Sequence, residues 1–157
     1  MQVNPRRILW PTDFSSLSMR AARYARAFRE RFGAELHVIH VIPPALTPDF
    51  AATLPTEVPV VYSEQELTET CRQRLQELIA EQFSGGAGVL GQVAFGNPWS
   101  AICRYAEQNE IDLIIVATHG RTGLRHVLIG STAERIVQHA PCPVLVVKQA
   151  AKDFVVE

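Results

Sequence analysis

The sequence predicts a doubly wound α/β fold, and three observations predict it. Short runs rich in β-branched residues recur along the 157 residues. Longer stretches with apolar residues at helical spacing separate them. The separations suit right-handed crossovers between parallel strands. Three of the runs, ELHVIHV, DLIIVA and VLVV, are almost continuously apolar. A strand reads this way when helices cover both of its faces. The length fits one domain, residues 1–157, around a single core.

Each element has its own justification, in chain order. The first strand is expected over residues 7–10. In the helix that follows, Ala21, Ala25, Phe28 and Phe32 share one face. Gly33 closes that helix, and Asp13, Ser15 or Ser16 can cap its start. The second strand covers 35–41. Residues 43–62 contain five prolines and little periodicity. They are long for a connection inside a compact domain, and read as a functional lid or a mobile loop. Ser63 with Glu66 matches a capping box, and Leu67, Cys71, Leu75, Leu78 and Ile79 then make a second apolar stripe. Gly85-Gly86 precedes a third strand over 88–94. Asn97-Pro98 sets a cap residue before a proline at the first helical position, and Trp99, Ile102, Cys103 and Ala106 form the third stripe. The fourth strand is expected over 112–117. Ser131 with Glu134 matches a second capping box, and Ala133, Ile136, Val137 and Ala140 form the last stripe. The last strand runs from Val144 to Lys148, after Cys142 between two prolines.

Bulk composition narrows the function classes. Apolar residues make up 47% and charged residues 20%, an ordinary globular balance. The formal net charge of -1 gives no basic field, so nucleic acid is not an expected partner. No apolar stretch approaches the ~20 residues of a membrane span, and the amino-terminal residues do not read as a signal peptide. Cys71, Cys103 and Cys142 are widely spaced and form no C-x-x-C pair. Reduced thiols and a cytoplasmic location are the expectation.

Open parallel sheets bind ligands beyond the carboxyl ends of their strands, where the strand order reverses. The segment after the fourth strand, ATHGRTGLRHVLIGSTAER, is the most informative there. Gly120, Gly123 and Gly130 allow backbone amides to approach an anion. Gly130-Ser131 opens the last helix, whose end offers N–H groups and positive dipole. Ser131 and Thr132 add hydroxyls. The same residues also suit an ordinary strand end and helix cap. After the first strand, Asp13 can accept from an adenine amino group or a ribose hydroxyl, or can simply cap the first helix.

Other chemistries lack their motifs. No H-E-x-x-H, G-x-S-x-G or G-x-x-x-x-G-K-[ST] occurs, so a zinc protease, a serine hydrolase or a Walker-type ATPase is unsupported. His37 and His40 stand an odd number of strand positions apart and face opposite sides, a poor metal pair. His119 lies in the glycine loop and reads first as a solvent-exposed or loop-packing residue, with a phosphate or metal contact as the alternative. Cys142 reads as a small buried apolar residue.

The opening ILWPTDFS and the close DLIIVATHGRTGLRHVLIGSTAERIVQHAPCPVLVVK resemble the universal stress protein family, as do ELHVIHVIPP and GNPWSAI. That family's nucleotide motif is G-x2-G-x9-G-[S/T]. Here Gly120, nine residues, Gly130 and Ser131 match it, while Ala117 stands at the first glycine. The resemblance implies a five-stranded sheet in the order 3-2-1-4-5, of the adenine nucleotide alpha hydrolase-like type. It implies ATP or another adenine nucleotide as ligand, with Mg²⁺ as a possible companion. Asp13 and the Val41 backbone would face the base and Gly96 the ribose. Gly120, Arg121, Gly130, Ser131 and Thr132 would surround the phosphates, and Pro11, Thr12, Ala117 and His119 complete the expected binding residues. Ala133 stands where some nucleotide-binding members carry a further hydroxyl. The first turn lacks the S-G-G-x-D-S loop of pyrophosphatase-like relatives, which argues against an adenylating enzyme. The resemblance also implies a homodimer through the last strand, and a stress-related regulatory role with little turnover, toward a protein partner of unknown identity. A nucleotide-free interaction module and a slow ATP hydrolase stay open as alternatives.

Overall fold

The computed structural model describes residues 3–44, 64–83, 88–118, 129–148 and 154–155. Among these described residues nine elements follow in order: β1 (Arg7–Pro11), α1 (Ser16–Phe32), β2 (Glu35–Ile42), α2 (Glu64–Gln82), β3 (Val89–Phe95), α3 (Pro98–Gln108), β4 (Leu113–Ala117), α4 (Ser131–His139) and β5 (Val144–Val147). All four strand pairings are parallel, and the order is β3-β2-β1-β4-β5. Every predicted strand is present, with ends displaced by a residue at most. The residues expected to form a lid or mobile loop lie outside the described residues beyond Pro44, as does Ser63 of the first capping box.

The two faces of the sheet carry separate cores. On one face Ile8, Trp10, Leu36 and Val38 pack under α1 and α2, with Ala21, Ala25, Leu75 and Ile79 on the helix side. On the other, Leu9, Ile39, Val41, Ile114 and Val116 pack under α3 and α4, with Ala101, Ile102, Ala133 and Ile136 opposite. Adjacent residues of one strand thus divide between the two cores, as the pleat requires. From Ile8 to Pro11 the central strand β1 is buried on both faces, which is why that run is apolar throughout.

Three helix starts decide the shape of the sheet's carboxyl end. Ser15 is the cap of α1, with φ -75° and ψ 156°, and its Oγ accepts the Ser18 N–H. Asn97 occupies the cap position of α3 with Pro98 after it, although its side chain makes no capping bond. The second capping box does not form. Gly130, not Ser131, is the cap of α4, and Ser131 is already its first helical residue. The reason is that the Gly130 N–H is already bound to the Thr118 carbonyl, which fixes the chain's entry one residue earlier than the Ser-x-x-Glu spacing implies. Gly33, at φ 64°, closes α1 and donates its N–H to the Arg29 carbonyl.

Candidate functional site

The crevice begins where β1 and β4 stop pairing. Their register covers only Ile8 with Leu113 and Leu9 with Ile114, whereas β1 stays in register with β2 as far as Pro11 with Ile39. Within a strand, the N–H and C=O of one residue point to the same side, and the side alternates. The Arg7 carbonyl accepts from Asp112 at the head of β4, and the Thr12 N–H donates to Ile39 on β2. Odd positions of β1 therefore face β4. Pro11 is odd, so the strand presents a residue without an N–H just where its β4 partner has gone. The absent donor costs nothing there, and the gap is the topological switch point between β1 and β4.

Thr12 to Ser15 form a tightly bonded turn at the mouth of that gap. Thr12 is only 5% exposed. Its Oγ1 accepts the Phe14 N–H at 3.1 Å and lies 3.0 Å from Ser18 Oγ. Ser18 Oγ donates its single proton to the Ser15 carbonyl at 2.9 Å, so Thr12 is the donor of the pair. The Thr12 carbonyl receives His40 Nδ1–H at 2.8 Å. Each polar group of Thr12 thus has a partner inside the protein. Asp13 is half-buried and its Oδ1 accepts the Ser15 N–H at 3.0 Å. That bond arches over Phe14, whose φ is 62°. For a bulky residue this left-handed conformation costs about 1–2 kcal/mol. The Phe14 ring lies 4.3 Å from the His40 ring and 4.6 Å from the Arg74 guanidinium carbon on α2.

The other predicted residues fall around the same end of the sheet. Val41 is buried near the end of β2, on the α3 face. Gly96 follows β3 at φ 126°, with nothing within 4 Å of the position a Cβ would take. Its N–H donates to the Ile42 carbonyl. Ala117 is the last residue of β4. The Thr118 carbonyl accepts the Gly130 N–H, so the chain leaves β4 and returns to α4 at one point. Ser131 is exposed and Thr132 half-buried in the first turn of α4, where the leading amides have no carbonyl inside the helix to receive them. Gly130 itself has φ -68° and ψ 153°, a conformation open to any L-residue. Its backbone angles do not demand glycine. His119, Gly120 and Arg121 lie outside the described residues. So the fold brings Pro11, Thr12, Asp13, Val41, Gly96, Ala117, Gly130, Ser131 and Thr132 to one end.

The two strand histidines diverge, and neither faces the crevice as a pair. His37 Nε2–H donates to Glu35 Oε1 at 2.8 Å, and its Nδ1 lies 2.8 Å from Tyr105 Oη on α3. In the neutral ring Nδ1 is then the acceptor and the phenol the donor. Burial foremost, and the Glu35 carboxylate after it, push the Tyr105 phenol up. This chain of groups sits at the amino end of the sheet, remote from the crevice. Among the described residues no group of three or more His, Cys, Asp or Glu could hold a metal ion. None of the described helices is long and apolar enough to cross a membrane.

Sequence reasoning missed the parts played by Phe14, His40 and Arg74. A positive φ at phenylalanine has no sequence signal of its own. Thr-x-Phe followed by a serine cap hints at a turn, but Arg74 comes from a helix sixty residues later.

The strand order defines a doubly wound α/β protein with its topological switch point between β1 and β4. The profile of the Universal stress protein family matches residues 4–148. Universal stress protein MJ0531 of Methanocaldococcus jannaschii is 34% identical over 148 residues, covering 94% of this chain and 85% of that protein. The solved structure of MJ0577, from the same organism, superposes with a TM-score of 0.76 at 30% identity, covering 96% of this chain and all of that one. A universal stress protein family protein from Arabidopsis thaliana, solved with AMP bound, has the same fold, with a TM-score of 0.59 at 18% identity, covering 94% of this chain and 94% of that one. The chain belongs to the Universal stress protein family.

Proposed function

We propose that this protein binds an adenine nucleotide, ATP foremost, in the crevice beyond β1 and β4, and acts as a stress-related regulatory protein with little or no turnover. The observation that carries the reading is the closure of β4 onto α4. Through the Thr118–Gly130 bond, the α4 amino end stands at the carboxyl end of the parallel sheet, the same end as the Asp13 turn and Gly96. A helix start offers N–H groups and positive dipole to a phosphate. Glycine stands at its cap although the backbone angles do not require it, which fits a need for close approach. Asp13 and the neighbouring β2 end, with Val41, supply an acceptor and an apolar wall for a purine. Gly120 and Arg121 complete the phosphate side, and Mg²⁺ accompanies the bound phosphates. Two copies pair through the outer edge of β5, from Val144 to Lys148, and the nucleotide alters the surface offered to a protein partner.

Calorimetric titration with ATP, ADP and AMP tests this. ATP is expected to bind, and Gly130→Val to abolish binding while the far-ultraviolet circular dichroism stays that of the wild type, since valine fits φ -68° and ψ 153°. Absence of heat at millimolar nucleotide, with no nucleotide released from freshly purified protein, refutes the reading. Phosphate release above background that vanishes in Gly130→Val would instead establish a slow hydrolase.

A further inference from the structure

Three features converge on Phe14. It holds φ at 62°, which aromatic residues rarely adopt. Its left-handed backbone is what lets Asp13 Oδ1 reach the Ser15 N–H across it. Its ring touches His40, 4.3 Å away on β2, and Arg74, 4.6 Å away on α2. His40 also holds the turn from the other side, through Nδ1–H to the Thr12 carbonyl. A change in the Phe14 backbone would disturb the Asp13–Ser15 bond and with it the direction of the carboxylate.

The helix that supplies Arg74 is mostly exposed. Of the 19 residues of α2, only Leu75 and Ile79 are buried, against five of the 17 in α1. They settle over β3 beside Gly91, where a Cβ would come within 2.9 Å of Ile79 Cδ1. The Arg74–Phe14 contact adds a further anchor, on the side of α2 that faces the first turn.

We infer that Phe14, His40 and Arg74 are positioning residues for the nucleotide turn, and that their stack makes α2 docking and nucleotide binding strengthen each other. The inference rests on the adenine-nucleotide reading and adds a regulatory connection to it. A nucleotide that needs Asp13 in its present direction favours left-handed Phe14, which favours the ring contact with Arg74 and so the docked α2. By reciprocity, whatever loosens α2 weakens the nucleotide by the same factor. The crevice thereby reports its occupancy to a helix on the opposite side of β2.

The test pairs ATP titration with amide hydrogen exchange over residues 64–82, on the full chain. In the wild type, ATP is expected to slow exchange across α2. Arg74→Met keeps most of the side-chain stem and removes the cation over the ring. It is expected to weaken ATP about two- to fivefold and to abolish the ATP-dependent protection. Phe14→Gly permits the left-handed backbone without the ring, and is expected to weaken ATP by about fivefold or more. Phe14→Tyr restores both. ATP binding at wild-type strength in Arg74→Met and Phe14→Gly overturns the inference. So does an α2 that exchanges at the same rate with and without ATP in the wild type. A wild type that takes up no ATP refutes the nucleotide reading itself, and this inference falls with it. Wild-type binding without any effect on α2 removes the coupling alone.

Discussion

Thr12→Val isolates the bond that shapes the crevice turn. Valine matches threonine in volume and β-branching, so packing around this nearly buried position changes little. What goes is one hydroxyl with two partners. As acceptor it serves the Phe14 N–H at 3.1 Å, and as donor it serves Ser18 Oγ at 3.0 Å. The two losses differ in weight. Ser18 Oγ keeps its bond to the Ser15 carbonyl at 2.9 Å, so it forfeits one neutral bond of about 0.5–1.5 kcal/mol. The Phe14 N–H is left without its acceptor in a part-buried turn, which costs about 1–3 kcal/mol. Because solvent reaches part of that turn, the lower half of the combined range applies, about 2 kcal/mol in total. That is a large share of the ~5–15 kcal/mol that holds a domain together. In a chain of this size it lowers the melting temperature by about 4–8 °C. Urea denaturation followed by circular dichroism measures it, with Ser18→Ala as the control. Ser18→Ala is expected to lose about 1 kcal/mol or less, since alanine's helix propensity offsets part of the lost bond. The double variant should lose less than the sum of the two, because they share the Thr12–Ser18 bond. A loss under about 0.5 kcal/mol for Thr12→Val would show that this hydroxyl does not organise the turn, and the bonding order assigned above would be wrong.

Gly96→Ala meets no steric obstacle, so its cost is backbone strain at φ 126°, about 1–3 kcal/mol; calorimetric unfolding at the wild-type temperature would contradict this. Burial foremost pushes the Cys142 thiol up to about 11, with Asp112 and Cys103 adding and the Ile114 backbone bond opposing. Folded Cys142 keeps its proton where the unfolded chain, near its ordinary 9.0, gives it up. Its contribution to stability is therefore intact below pH 9 and is lost as pH rises toward 11, and alkylation at pH 8 should be slow in the folded chain and fast in urea. Fast alkylation of the folded chain at that pH contradicts the burial. β5 pairs only with β4 among the described residues. If its other edge joins two copies, light scattering gives a dimer mass and Val146→Pro a monomer; a wild type that stays monomeric at every concentration removes the proposal.

Much of the fold could be read from local pattern. The runs in β4 and β5 are continuously apolar, and that in β2 is broken only by Glu35 and two histidines, because two cores need residues from both faces of the same strand. Val41 and His40 are sequence neighbours yet belong to opposite faces, as alternation requires. The amphipathic stripes of α1, α3 and α4 each bury part of the face they presented. Helix caps were legible only to the nearest few residues. Three side chains could have capped α1, and the geometry selects Ser15. The Ser131–Glu134 spacing implied a box that the Thr118–Gly130 bond pre-empts.

By itself, the order of residues determined the alternation of strands and helices, the apolar faces and the family, since all of these reside in short-range spacing and in motifs read along one dimension. Only the tertiary structure decided that the β1/β4 pairing ends at Leu9, that every polar group of Thr12 is engaged by the turn or by β2, and that Phe14 meets a guanidinium from α2. Those are relations between segments dozens of residues apart. Their energies depend on distance and direction in space, which no spacing along the chain encodes.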